Sequence, residues 1–205
     1  MDAEYDGADL LIEDLRAEGM AIRDGFLRSS AWRALAACAE TRRDRGDFSA
    51  ARVGAGRTLE RREEIRGDFT CWLREPRYAA EQRLLEQLEQ LRLELNSEAY
   101  LGLFELELHY ARYPPGAGYA RRVDQPLKNT ARKVSLVLYL NLDWVPGDGG
   151  ELRLYETGER TLDVEPVGGR LVCFLTPGRE HEVLTARRER LSISGWFRGR
   201  HSPVS

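Results

Sequence analysis

At Leu103 the hydrophobic period of this chain changes from 3.6 residues to 2, and it stays near 2 almost to the C-terminus. Phe104 to Tyr113 alternates apolar with polar, and Pro114 to Gly118 turns the chain. Lys133 to Asn141 alternates again, and Pro146 to Gly150 makes a second turn. Glu151 to Tyr155, Thr161 to Glu165, Leu171 to Leu175, His181 to Leu184 and Leu191 to Phe197 follow, separated by Gly168-Gly169 and Pro177-Gly178 among other breaks. About seven or eight short strands between Gly/Pro turns predict a sandwich or barrel. The first half reads differently. Leu10, Leu11 and Leu15 form a helical stripe that stops at Gly19, and Met20 to Asp24 reads as a short strand. Ser29 or Ser30 is placed to cap a helix running through Trp32 and Leu35 to about Arg42. Tyr78 to Asn96 is the clearest helix, with Leu84, Leu88, Leu91 and Leu95 on one face, a packing surface for a sheet. The expected fold is mainly β with N-terminal helices (α+β), a double-stranded β-helix or jelly-roll with helices supporting one sheet.

Length and composition narrow the function. The 205 residues suffice for one sizeable core. The expected organisation is a single domain over 1–205, with 1–98 as helical support and 99–199 as the jelly-roll core. A net charge of −3 argues against a dedicated nucleic-acid or membrane-surface binder. No apolar run approaches the roughly 20 residues that cross a bilayer, and the acidic start, Met1 to Asp6, is unlike a signal peptide. Cys38, Cys71 and Cys173 are odd in number and far apart, which reads as three inert thiols in a reducing cytoplasm. Asp44 to Arg66 loses periodicity and carries glycines among charges of both signs, the pattern of a long connector or a loosely paired hairpin.

Three residues stand near strand ends and could converge on a metal and an anionic small molecule: Asp124, His181 and Arg190. Their surroundings are Gly118-Tyr-x-Arg-x-Val-Asp-x-Pro126, His181-Glu-Val183, and an arginine nine residues past His181. With Asp143-Trp144, Gly149-Gly-x-Leu-Arg153 and Ile65-Arg-Gly-Asp68 before Trp72, they make the chain resemble the 2-oxoglutarate/Fe(II) oxygenases. The resemblance is to the prolyl 4-hydroxylase-like branch that includes the oxygen-sensing prolyl hydroxylases.

The resemblance implies Fe(II), 2-oxoglutarate and O₂, with ascorbate as an accessory. Asp124 and His181 would hold iron in a facial site of two histidines and one carboxylate. Arg190 would fork onto the distal carboxylate of 2-oxoglutarate, as a planar guanidinium can. Tyr113 and Tyr139 would line the same pocket, with Ser194 and Trp196 beside it. The implied reaction is hydroxylation of a prolyl residue in a protein or peptide, with no nucleic-acid or membrane partner. By the same resemblance, Asp44 to Arg66 would be a mobile loop closing over the substrate. That loop and the basic run Lys128 to Lys133 would be the substrate selectors.

One residue departs from the family pattern. The first ligand position of His-x-Asp holds Arg122, and a protonated guanidinium has no lone pair to give a metal. At about 5 Å it would repel a dication by about 6–7 kcal/mol at an effective dielectric of about 20. Either Arg122 swings outward and leaves a compromised iron site, or its guanidinium takes the metal's place beside Asp124. The alternative to an enzyme is then a catalytically inactive oxygenase-fold module that binds a peptide or senses 2-oxoglutarate. His109, mid-strand, and His201, in the tail, are not at ligand spacing.

Overall fold

The leucine stripe is the seam on which the molecule is assembled. In the computed structural model, which describes residues 8–51, 67–124, 131–156 and 160–200, it lies on helix α3 (Ala79–Ala99) and buries Leu84, Leu88, Leu91 and Leu95. The helix ends where Tyr100 turns left-handed at φ 54°, and the Asn96 side chain ties the start of the next strand, accepting from Leu103 N–H at 2.7 Å. Two shorter helices, α1 (Ala8–Glu18) and α2 (Ser29–Asp44), pack with it. Neither serine caps α2. Both already lie in its first turn, and Arg28 is the N-cap, its side chain making no capping bond.

Buried polar groups lock α2 to α3. Arg42 on α2 donates to both oxygens of Glu81 on α3, at 2.7 and 2.8 Å. The Tyr110 hydroxyl donates to the same carboxylate at 3.1 Å, which fastens the helices to strand β4 (Leu103–Tyr113).

The remaining strands are β1 (Met20–Arg23), β2 (Ser49–Ala50), β3 (Phe69–Trp72), β5 (Tyr119–Arg122), β6 (Arg132–Tyr139), β7 (Leu152–Tyr155), β8 (Thr161–Val164), β9 (Leu171–Leu175), β10 (His181–Val183) and β11 (Arg190–Gly199). They form a seven-stranded sheet in the order β1-β9-β6-β11-β4-β3-β2 and a four-stranded sheet in the order β5-β10-β7-β8. Every pairing is antiparallel. This is the double-stranded β-helix expected from the alternation. Strands β1, β2 and β3, from the first half of the chain, extend the large sheet, and the period-2 reading misses β3 and β5.

Alternation decides what each face of the large sheet does. On one face Leu108, Tyr110, Val134, Leu136, Leu138, Leu171, Cys173, Leu191, Ile193 and Phe197 join the helices in the main core. On the other, Ala111, Tyr113, Tyr139, Val172 and Phe174 meet Leu152, Leu154, Val164 and Val183 of the small sheet. Gly195 on β11 is needed where the strands crowd, because a Cβ there would stand 2.0 Å from the Glu107 carbonyl oxygen.

Cys38, Cys71 and Cys173 are buried and unpaired, and burial pushes the Cys173 thiol up to about 12. No described helix is long and apolar enough to cross a membrane. Residues 52–66, most of the expected covering loop, lie outside the described residues, as do 125–130 of the basic run and His201.

Candidate functional site

Between the sheets, the inward face of β11 carries a row of polar groups. Arg190, Ser192, Ser194 and Trp196 share it by alternation. The Arg190 guanidinium donates to Ser192 Oγ at 3.3 Å, and Ser192 Oγ lies 3.4 Å from Ser194 Oγ. Trp196 Nε1 donates to Asp124 Oδ2 at 2.9 Å. A polar row therefore runs inside the barrel from Arg190 at one end to Asp124 at the other.

At the Asp124 end, four groups converge on one carboxylate. His181 Nε2 lies 3.3 Å from Oδ1 and Arg122 Nε 3.6 Å from the same oxygen. Ser135 donates to Oδ2 at 2.9 Å and is itself 3.1 Å from the Thr176 hydroxyl. Arg132 donates to the Asp124 carbonyl at 2.9 Å while lying over the Trp196 ring. The meeting is built by register, since His181 on β10 pairs directly with Arg122 on β5. Burial alone would raise the Asp124 carboxyl, but His181, Arg122 and the Trp196 N–H outweigh it and hold the acid well below the usual range. Asp124 is thus an anion at neutral pH.

His181 is buried, with Nδ1 3.3 Å from the Arg179 carbonyl and its ring against Phe174. In the free protein Nε2 faces Asp124 as a donor; with Nδ1 donating to the Arg179 carbonyl instead, Nε2 would offer a lone pair to a cation placed between it and Asp124. The 3.3 Å gap is close to the separation, about 3 Å, of two adjacent donors on one ion with bonds of about 2.1 Å. A third donor is missing. Among the described residues no group of three His, Cys, Asp or Glu side chains could hold a metal. The third position carries Arg122, whose guanidinium lies 3.2 Å from the Tyr119 ring centre and whose buried Nη1 has no hydrogen-bond partner. This set offers two of the three protein ligands of a facial iron centre and does not complete one.

The Arg190 end is different. Its guanidinium is 1 % exposed and donates from Nε to the Gly150 carbonyl at 2.8 Å. The rings of Tyr113 and Tyr139 flank it at 5.0 and 5.1 Å. No described carboxylate pairs with it. The Tyr139 hydroxyl lies beside it, buried and without a hydrogen bond of ordinary geometry. Burial pushes this phenol up, and Arg190 pulls the other way. A buried cation and an orphan hydroxyl with no anion between them fit the carboxylate of 2-oxoglutarate.

All the residues singled out from the sequence thus gather in one interior site: Asp124, His181, Arg122 and Trp196 at one end, Arg190, Tyr113 and Tyr139 at the other, Ser194 between. Sequence reasoning misses Ser135, Thr176 and Ser192. The signal was available for Ser135, a hydroxyl within the apolar run of β6, and for Ser192, two residues from both Arg190 and Ser194 on one face of β11. His109 is not a substitute ligand; its ring stacks on Trp196 at 5.6 Å and against the half-exposed Trp72 at 4.9 Å. A surface cleft of about 450 Å³ lined by Ile22, Glu151, Asp163 and Arg170 shares no residue with this site. Its Arg170 and Asp163 are already paired, with Asp24 and Arg153.

Known proteins are similar to this chain in sequence and fold. Residues 108–198 match the model of the 2OG-Fe(II) oxygenase superfamily. A prolyl-4-hydroxylase of Pseudomonas putida is 41 % identical, with a TM-score of 0.87 over 95 % of this chain and 100 % of that one. A Trichoplax adhaerens prolyl hydroxylase, solved with a hypoxia-inducible factor peptide fragment, is 26 % identical with a TM-score of 0.84, covering 93 % and 88 %. The hypoxia-inducible factor prolyl hydroxylase of Caenorhabditis elegans is 29 % identical over 93 % of this chain. The match spans only 28 % of that protein's length. Fold, interior polar row and sequence identity agree: the chain belongs to the prolyl 4-hydroxylase-like branch of the 2-oxoglutarate/Fe(II) oxygenases, whose cofactors are Fe(II), 2-oxoglutarate and O₂.

Proposed function

We propose that this chain is a prolyl hydroxylase-like 2-oxoglutarate-dependent dioxygenase with a compromised iron site, acting on a prolyl residue of a protein or peptide. One observation carries the reading: Arg190 is a fully buried guanidinium that no described carboxylate neutralises. Unpaired buried cations are costly, so such a group is expected only where a ligand supplies the anion. In this reading Arg190 forks onto the distal carboxylate of 2-oxoglutarate. Tyr139 donates its hydroxyl to the same carboxylate, Tyr113 closes the side of the pocket, and Ser194 lies along the ligand's length. Asp124 and His181 are the metal ligands the chain retains, and Trp196 orients Asp124 through its indole N–H. Iron bound there would supply the oxygen chemistry.

The peptide partner is supported by the Trichoplax relative's bound fragment. The chain works as one domain over 1–205, and in the cytoplasm. A second reading, a non-catalytic module that binds a peptide or senses 2-oxoglutarate, is favoured by Arg122 in the third ligand position. Succinate formation from 2-oxoglutarate with added Fe(II) and a prolyl peptide, in this chain and in Arg122→His, separates the two. Turnover by the unaltered chain supports the dioxygenase. Turnover only by Arg122→His supports the binding module. If both are silent and 2-oxoglutarate shifts the melting temperature of neither, both readings are lost.

A further inference from the structure

We infer that the barrel binds dicarboxylates without any metal, with Arg122 supplying at the Asp124 end the positive charge that a metal would supply. This rests on the co-substrate pocket proposed above, though not on turnover.

The argument begins with an imbalance. Arg122 is placed opposite His181 by strand register, and its side chain is folded over the Tyr119 ring toward Asp124. Yet it is poorly satisfied there. Its Nε stands 3.6 Å from Asp124, beyond normal hydrogen-bond length. Its Nη1 is buried with no partner at all. The better acceptor geometry on Asp124 is already taken by Trp196 and Ser135, both at 2.9 Å. A buried donor left unmade costs about 1–3 kcal/mol, more when charged, and an incoming carboxylate would remove that cost.

The far end of the row has the same need. Arg190 has no carboxylate and Tyr139 has no hydrogen bond of ordinary geometry. Between them run the Ser192 and Ser194 hydroxyls, neutral groups that tolerate a ligand's backbone. Three guanidinium groups, those of Arg122, Arg132 and Arg190, and one carboxylate, that of Asp124, leave an excess of two positive charges. The complementary ligand is an elongated dianion with a carboxylate at each end.

Selectivity then differs from that of a metal site. A metal reads the 2-oxo group together with its neighbouring carboxylate, because the two chelate as a pair. A guanidinium forks onto a carboxylate and gains nothing from the ketone. Arg122 should therefore accept glutarate, the five-carbon dicarboxylate without the oxo group, nearly as well as 2-oxoglutarate.

The test is calorimetric titration in EDTA, with 2-oxoglutarate, glutarate and the monocarboxylate pentanoate as the probes. The unaltered chain should bind both dicarboxylates with affinities within about threefold of each other, and pentanoate at least about tenfold more weakly. Arg122→Gln should lose about tenfold or more for both dicarboxylates, with its melting temperature showing that it is folded. Arg122→His should bind weakly in EDTA, then gain strongly for 2-oxoglutarate over glutarate when Mn(II) replaces the chelator. If the unaltered chain binds neither dicarboxylate in EDTA while Arg122→His with Mn(II) binds 2-oxoglutarate, the pocket stands and the metal-free inference is overturned. The inference is also overturned if Arg122→Gln binds as well as the unaltered chain, or if 2-oxoglutarate is preferred over glutarate by tens of fold without metal. If no form binds under either condition, the co-substrate pocket itself has been misassigned and the inference goes with it.

Discussion

Arg42 and Arg190 are equally hidden from water, at 2 % and 1 % exposed, and opposite in every other respect. Arg42 is saturated, clamped by both oxygens of Glu81. Arg190 has a backbone carbonyl, a serine and two aromatic rings, and no anion. Burial alone therefore says nothing about what a charged side chain is for. The partner does. A closed pair holds elements together, and an open one holds a place for something that arrives later.

Breaking the closed pair should have the largest effect on stability. Glu81→Ala strands Arg42 in the interior and should cost about 3–5 kcal/mol, read as a lower urea midpoint. Arg190→Gln should do the reverse, lowering 2-oxoglutarate affinity by about 2–5 kcal/mol while folding stability changes by less than about 1 kcal/mol. Equal destabilisation by the two variants would erase the distinction.

Acid sharpens the contrast. Burial alone would raise the Glu81 carboxyl, but Arg42, the Arg77 N–H and the Tyr110 hydroxyl hold it below its usual range. A depressed folded-state pKa contributes stability above the unfolded value, about 4.3, and that contribution is lost as pH falls through the folded value. Stability should hold from pH 7 to pH 5 and decline below about pH 4. In Glu81→Gln the decline should be shallower, and an unchanged acid limb would place the titrating groups elsewhere. The smallest effects belong to hydroxyls at the open site. Ser135→Ala, which removes a bond to Asp124, should lower stability by about 1 kcal/mol. Tyr139→Phe should leave the melting temperature unchanged or slightly higher, since it removes a buried hydroxyl that has no ordinary hydrogen bond. A marked fall would show that the hydroxyl has a partner in the free protein.

Much of this was legible before any coordinates. The leucine spacing on α3 and the alternation after Leu103 specify which faces are buried, because both follow from local geometry repeated many times. Asp124, His181 and Arg190 stood out because their neighbours follow a family pattern. What escaped was set by register. The family pattern puts Arg122, His181 and Trp196 at one site, but not the direct pairing of Arg122 with His181, 59 positions on, or the bond that Trp196 donates to Asp124 across 72 residues. Strand β3 escaped for another reason: Phe69 to Trp72 is too short to establish a period, and its pairing with β4 on one side and β2 on the other makes it a strand.

Strand β11 lies between β6 and β4, and its residues answer to two masters by parity. Odd positions fill the helix-backed core; even positions furnish the chamber. A single residue inserted between Arg190 and Ile193 would put the residues on its two sides out of phase, so that the guanidinium and the hydroxyls could no longer share one face. Extra length is tolerated only at the strand's end, where the register already shifts between Phe197 and Gly199.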